Sequence, residues 1–431
     1  MERFDKKITP PLESVDEIIA CIDQKLSKQL DEILHHPDFQ KLESAWRGLK
    51  FLVDRTDFSE NIKIELLNIS KEDLFEDFQG SPETHHSGLY QKVYTDEYAQ
   101  PCGEPYGAII ANYEFGFGPK DIFLLQNIST VAAIAHVPFI ASASPDMFGI
   151  KDFRELLRFN RISSIYEGPH YIPWQSFRES EDSRYVALTL PRFLLRPPYG
   201  PNNQPVKLFD YQEDVSAGDN CYLWGNIAFA FASRLTDSFA NYRHCANIVG
   251  RGDGMVDVSH ISINGGPLDL CIAEEEIYLS KEGFIPLAAT TCYNATFFSA
   301  NSVQKPKNFQ DTEEGNRAQT TYRLGTELPY LFIMTRFAHY IKVLYKMNMG
   351  MWRDNKDLLQ DELNNWIGQY VSHQDVPFSV VYNGRPIRTA RIVVEDFEYD
   401  ERFRYRFVLK VSPHIKYMGE YFNLILVGIL D

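Results

Sequence analysis

The sequence is short of the features that would place it in several large functional classes. Its six cysteines, at positions 21, 102, 221, 245, 271 and 292, are scattered over 431 residues with no Cys-x-x-Cys among them. In a chain this long that spacing predicts reduced thiols rather than a disulfide frame or a zinc ribbon. Positive charge is also scarce: 43 Lys and Arg against 59 Asp and Glu leave a formal charge of −16. A nucleic-acid binder needs clustered cations, and so does a surface that seeks anionic lipid, so neither is expected. No uncharged apolar run reaches the ~18 residues of a membrane span, and the opening "MERFDKKITPPLESVDE" has no apolar core of signal-peptide length. The expectation is a cytoplasmic protein without direct membrane insertion.

Catalytic motifs are missing too. There is no Gly-x-Ser-x-Gly elbow, and "FGFGPKD" (116–121 with its preceding Phe) puts Pro119 between the glycine and the lysine of a would-be phosphate loop. The consecutive acids Glu274, Glu275 and Glu276 cannot all converge on one site, so a solvated helix start is expected there. Arg251-Gly252-Asp253-Gly254 is a turn using glycine freedom. The pairs His35-His36 and His85-His86 are sequence neighbours, whereas helical zinc sites space their histidines to share a face; solvated or loop positions are expected, and His136, after an apolar helix, is expected to be a satisfied core residue. The sequence offers no catalytic, cofactor-binding or metal-ligating constellation.

What is present is a large apolar inventory: 44% hydrophobic residues, with 24 Tyr and 30 Phe, enough for sizeable packed cores and interfaces. In "HHPDFQKLESAWRGLKFLV" (35–53), Phe39, Leu42, Trp46, Leu49 and Val53 recur at helical spacing behind Pro37 at a first turn. The stripe is expected to face the chain's own core, covered by a strand at 61–69 whose Ile62, Ile64 and Leu66 alternate. Before it, Ser14 with Glu17 suggests a capping box opening a helix through Ile33, preceded by an extended arm over 1–13; Ser70 with Asp73 suggests another helix start.

The centre alternates: strand 105–115, helix 119–137, strand 138–144, short helix 151–159, strand 184–190, then a Pro- and Gly-rich loop at 191–207 and a fully buried helix at 224–242. A long helical region at 320–350 is expected to break near Pro329, and 355–373 is amphipathic. The tail is β-rich, with strands at 378–385, 388–400, 402–413 and 421–430 and turns at Asn383-Gly384 and Asp400-Glu401. The predicted fold class is α+β or mixed α/β: a helix-covered mixed sheet followed by a β-rich C-terminal region contributing to an inter-subunit sheet. The expected divisions are an arm and helical hairpin (1–60), an α/β domain (61–200), a second α/β region with long helices (201–350) and a C-terminal helix with β-rich domain (351–431).

Four blocks together resemble one family: "LDEILHHPDFQKLESAWRGLKFLVDRT" (30–56), "GEPYGAIIANYEF" (103–115), "ASRLTDSFANYRHCANIVG" (232–250) and "ELNNWIGQYV" (362–371). They are similar to the large subunit of the type VI secretion contractile sheath, the TssC/VipB family, and "ERFDKKITPPLESVDEII" has the flavour of its IglB branch. Pro101-Cys102 departs from the pattern, where an aromatic and a glycine are expected. Family members usually carry a further N-terminal stretch, so a shortened arm is expected.

The resemblance implies a structural subunit, not an enzyme. It implies a heterodimer with a small TssB/VipA/IglA-like partner, and polymerisation with neighbouring copies into a helical tube. That tube would surround an Hcp-like inner tube, join a baseplate and contract, with no cofactor and no nucleic acid. Candidate inter-subunit residues are Leu358, Leu363, Trp366 and Tyr370 on one helical stripe, and Arg402, Arg404, Arg406 and Lys410 alternating along one strand. That first stripe could equally be intrachain core, and the arginines a solvated face. The rival reading is a cytosolic α/β enzyme with its site at the strand ends near Asn112, Glu114 and Ser142 to Ser144.

Overall fold

The computed structural model describes residues 12–99, 103–158, 162–201, 203–257, 273–289, 294–307, 309, 312–347, 355–372, 387–399, 402–413 and 424–430. The chain opens with α1 (Leu12–Leu34) and α2 (Pro37–Asp54). α1 starts at Leu12, so Ser14 lies inside it rather than capping it. The elbow is built as the sequence suggests: His36 is extended at φ −64°, ψ 129°, its ring accepts from the Asp38 amide, and Pro37 opens α2. α3 (Lys71–Gly80) begins with a reciprocal capping box between Ser70 and Asp73.

Then come β1 (Ile109–Phe115), α4 (Pro119–Ala135), β2 (Phe139–Ala143), α5 (Ile172–Glu179) and β3 (Val186–Leu190). A two-residue ribbon pairs β4 (Phe193–Leu194) with β5 (Trp224–Gly225), and α6 (Ala228–Tyr242) follows. The remaining elements of this half are β6 (Met255–Asp257), α7 (Ala273–Lys281), β7 (Phe284–Ala289) and β8 (Asn294–Phe297). The main sheet has the order β1-β2-β3-β7-β8-β6, parallel from β1 through β7 and antiparallel at β8 and β6. β2 and β3 are buried at every position, the signature of parallel strands with both faces covered. α4 and α6 pack against these strands, and α2 lies on α6 through Gly48, where a Cβ would come within 2.6 Å of the Phe229 ring.

α8 (Glu313–Leu324) and α9 (Leu328–Met347) break around 325–327, with Pro329 in the first turn of the second helix. α9 serves two cores. Leu328, Leu331 and Phe332 join the main-sheet core, while Tyr330, Ile333, Phe337 and Ile341 join a second core with α10 (Lys356–Gly368). Opposite them is an antiparallel sheet, ordered β11-β10-β9, of β9 (Ile387–Tyr399), β10 (Arg402–Pro413) and β11 (Leu424–Leu430).

Three local expectations are corrected. Residues 61–69 form no strand. They run alongside the open edge of β1, tied to it by Tyr113 Oη donating to the Ile69 carbonyl (2.7 Å) and by Tyr106 Oη donating to Glu65 (2.5 Å), but without a backbone ladder. The segment 151–159 is a 3₁₀ turn over Phe153–Arg158, and α6 is buried mainly along its first half, with Asn241 exposed. The strand expected at 378–385 and both turn signals of the tail lie outside the described residues.

Candidate interaction surfaces

The strand ends that would serve an enzyme are already committed. Ser142 Oγ donates to Asn226 Oδ1 (2.7 Å), Asn226 Nδ2 donates to the Tyr113 carbonyl (3.1 Å), and Thr189 Oγ1 donates to the Ala141 carbonyl (2.8 Å). These bonds stitch β1, β2, β3 and the start of α6 together, and among the described residues Ser142 Oγ is bonded by Thr189 and Asn226 rather than by a histidine or carboxylate. Asn112 and Glu114 point into solvent from β1. Of the acid trio, Glu276 is not solvated: it is 6% exposed and bonded by the Ser299 hydroxyl, and burial raises its pKa. His136 is a core residue as expected, 6% exposed, in the left-handed conformation that ends α4 (φ 54°), with Nδ1 3.2 Å from Tyr185 Oη.

Three surfaces stand out instead. The first is the N-terminal hairpin. Its elbow is fastened by a buried ion cluster in which Arg196, 3% exposed, binds Glu213 (2.6 Å) and Glu43 (3.0 Å), while His35 Nε2 sits 3.2 Å from Glu213 and Tyr211 Oη donates to Asp31 (2.7 Å). Beyond that anchor the apolar side chains are bare. Along α1, Val15, Ile19, Ile22, Leu26, Leu30 and Ile33 follow three- and four-residue steps; all but Leu30 are exposed, and Leu30 is half-buried. On α2, Phe39, Leu42 and Trp46 are 38%, 57% and 62% exposed. The expectation that the 39–53 stripe faces the core is therefore corrected. α2 buries a neighbouring face (Gly48, Phe51, Leu52) against α6, because the glycine permits that close approach. Leu66 and Leu67, 67% and 57% exposed, extend the apolar surface. A helix of 23 residues spans about 34 Å, and a seam at heptad spacing suits a second helix.

The second surface is α10. Leu363 is fully buried, with Leu359 and Ile367, in the chain's own second core. Trp366 and Tyr370 are half-buried, edge-to-face with Phe337 at 5.8 and 5.4 Å, and Leu358 is 39% exposed. Most of the predicted stripe is spent inside the chain; Leu358 and part of the two aromatics stay accessible.

The third is the C-terminal sheet. Its inner face (Ile392, Val394, Phe407, Leu409, Leu424, Leu426) closes the second core. Its outer face follows from the register: Glu395, Arg406 and Ile429 form one row, Val393, Val408 and Val427 the next, Arg391, Lys410 and Ile425 the third. Arg402 and Arg404 belong to β10, and their side chains lie outside the described residues. Arg406 is bonded to Glu395, so its charge is matched within the chain, whereas Lys410 is exposed opposite Arg391.

The two edges of this sheet differ. At β9 the amide of Asn364 exchanges two hydrogen bonds with Ile392 (2.8 and 2.9 Å), and Gln360 Oε1 accepts from the Val394 amide (3.0 Å). α10 thus caps that edge, as a covered edge strand requires. Among the described residues β11 pairs with β10 alone. Its outward side chains Ile425, Val427 and Ile429 are 54%, 49% and 39% exposed. Sequence reasoning located the strands, but the capping amides lie roughly thirty residues away from the backbone they bond, and no local signal announces them.

No described helix is long and apolar enough to cross a membrane. Comparison with known proteins agrees with the layout of the two cores. Residues 16–304 match the family described as EvpB/VC_A0108, tail sheath N-terminal domain, and residues 317–430 match EvpB/VC_A0108, tail sheath gpW/gp25-like domain. The chain is 37% identical over 434 aligned positions to the type VI secretion system sheath protein TssC1 of Pseudomonas aeruginosa, covering 97% of this chain and 86% of that protein.

Proposed function

This chain belongs to the VipB/TssC family of type VI secretion sheath proteins, a structural family and not an enzyme one, and we propose that within it the chain pairs with a small TssB/VipA/IglA-like subunit. The pairs stack in the cytoplasm as a helical tube around an Hcp-like inner tube, join a baseplate and contract; within the family the chain sits in the IglB branch. The observation that carries this reading is the asymmetry of the C-terminal sheet: one edge capped by Asn364 and Gln360, the other carrying bare Ile425, Val427 and Ile429. An uncovered apolar edge is an aggregation hazard unless a strand from another subunit completes it.

The α1–α2 surface supplies the seat for the small partner. A seam of this length with several exposed Ile, Leu and Trp side chains matches the apolar core of an obligate interface. Leu358, Trp366 and Tyr370 at one rim, and Lys410 on the outer sheet face with Arg402 and Arg404 of the same strand, supply contacts between stacked pairs, the cations meeting the acids of a chain whose net charge is −16, while Arg406 is already spent on Glu395. The test is coexpression with the small subunit. Wild type should copurify with it and give hollow tubes by electron microscopy, and Ile19→Asp with Ile22→Asp, both exposed on the α1 seam, should abolish copurification. Undiminished pairing by that variant contradicts the seat on α1.

A further inference from the structure

The adjacent histidines His85 and His86, dismissed by spacing alone, do not diverge. They sit in a 3₁₀ turn over Thr84–His86 whose backbone brings the rings side by side, with centroids 4.2 Å apart at 39°. Glu83, just before the turn, places its carboxylate 3.0 Å from His85 Nε2. One ligand atom from each of the three residues lies within 4.8 Å of the other two. Among the described residues this is the one group of three or more His, Cys, Asp and Glu side chains so arranged.

We propose that Glu83, His85 and His86 bind one first-row divalent cation of the zinc class. The donor set, two imidazoles and one carboxylate, is one that zinc accepts. Tetrahedral ligands on bonds of about 2.0–2.1 Å sit about 3.4 Å apart; the Glu83–His85 pair at 3.0 Å is already inside that spacing, and atoms as far apart as 4.8 Å must close by about 1.4 Å through side-chain rotation. The side chains are exposed and free to make that adjustment. The turn beneath them is not free to move: Ser87 is fully buried and donates to the Thr84 carbonyl (2.8 Å), the Gly88 amide donates to Asp77 on α3 (2.9 Å), and the His85 ring meets Tyr90 edge-on. A rigid turn carrying adjustable donors is a preorganised half-site. Its remaining coordination positions fall to water or to a side chain of a neighbouring molecule.

The proposal is independent of the sheath assembly and is tested on the purified full-length chain, stripped with chelator and titrated with zinc chloride by calorimetry. One saturable site is expected, and His85→Ala and His86→Ala should each weaken it by at least about tenfold, with unchanged far-ultraviolet circular dichroism showing that the exposed substitutions leave the fold intact. Wild-type protein with no saturable heat, or variants that bind zinc as tightly as wild type, would overturn it.

Discussion

The two sheets of this molecule are made of similar residues and solve opposite problems. In the main sheet, Phe139–Ala143 and Val186–Leu190 are buried on both faces, flanked by other strands and covered by helices. Both strands are paired on either side within the same sheet, β2 between β1 and β3, and β3 between β2 and β7. In the C-terminal sheet the same kind of side chain alternates, buried at Leu424, Leu426 and Leu430, exposed at Ile425, Val427 and Ile429. One edge is sealed by helix amides and the other, among the described residues, is open. Apolar residues on a solvated sheet face beside an open edge mark a surface completed by another molecule, whereas a buried parallel sheet marks a scaffold. α9, shared by both cores, ties the two regions together.

The largest effect should come from emptying the second core. Phe407 is fully buried, and its ring fills the space that Gly428 leaves: a Cβ at that glycine would come within 2.4 Å of it. Phe407→Ala should cost about 3–5 kcal/mol, and in hydrogen exchange the loss of protection should concentrate in β9–β11 and α10 while β2 and β3 stay protected. Equal loss in both sheets would erase the distinction drawn between them.

A smaller change should unseal the capped edge. Asn364→Ala removes both bonds to Ile392 and leaves its amide and carbonyl unsatisfied, costing about 1–3 kcal/mol. Because β9 then resembles β11, the isolated chain should show more self-association by analytical ultracentrifugation than wild type. An unchanged sedimentation profile would mean that the amide contributes bonding but not protection.

The mildest lever at neutral pH is the junction between the cores. His339 on α9 donates from Nε2 to the Ala135 carbonyl (3.1 Å), and its pKa is pushed down to about 3, by burial first, with the cations Lys342 and Arg336 adding to the lowering. Burial likewise lowers His136, which lies beside Gly428. Both are neutral in the folded chain and titrate near the ordinary 6.5 when unfolded. The unfolded state therefore binds more protons below that value. Stability from these residues is complete above about pH 6.5 and lost progressively as pH falls toward 3. Thermal melts across that window should show the descent, and His339→Gln should flatten it; an identical slope in the variant would assign acid sensitivity elsewhere.

Much of this was legible in the sequence. The parallel strands announced themselves as short apolar runs, and the starts of α2 and α3 as Pro37 and the Ser70–Asp73 box. Periodicity said that Phe39, Leu42 and Trp46 share a stripe, but it cannot say whether a stripe meets the chain's own core or another molecule. Here Gly48 turned a different face inward. Alternation at Ile62, Ile64 and Leu66 likewise signals a half-buried extended segment without guaranteeing a ladder partner. The distinction between the two edges of the C-terminal sheet was invisible, because it depends on Asn364 and Gln360 reaching a strand distant in sequence.

The central claim is that the β11 edge and its outward apolar face join one subunit to the next. The most direct measurement is electron microscopy of the Val427→Lys, Ile429→Lys double variant coexpressed with the small subunit. Both side chains point away from the core, so the pair should still fold and copurify while forming no tubes. Full-length tubes assembled from that variant would contradict the account.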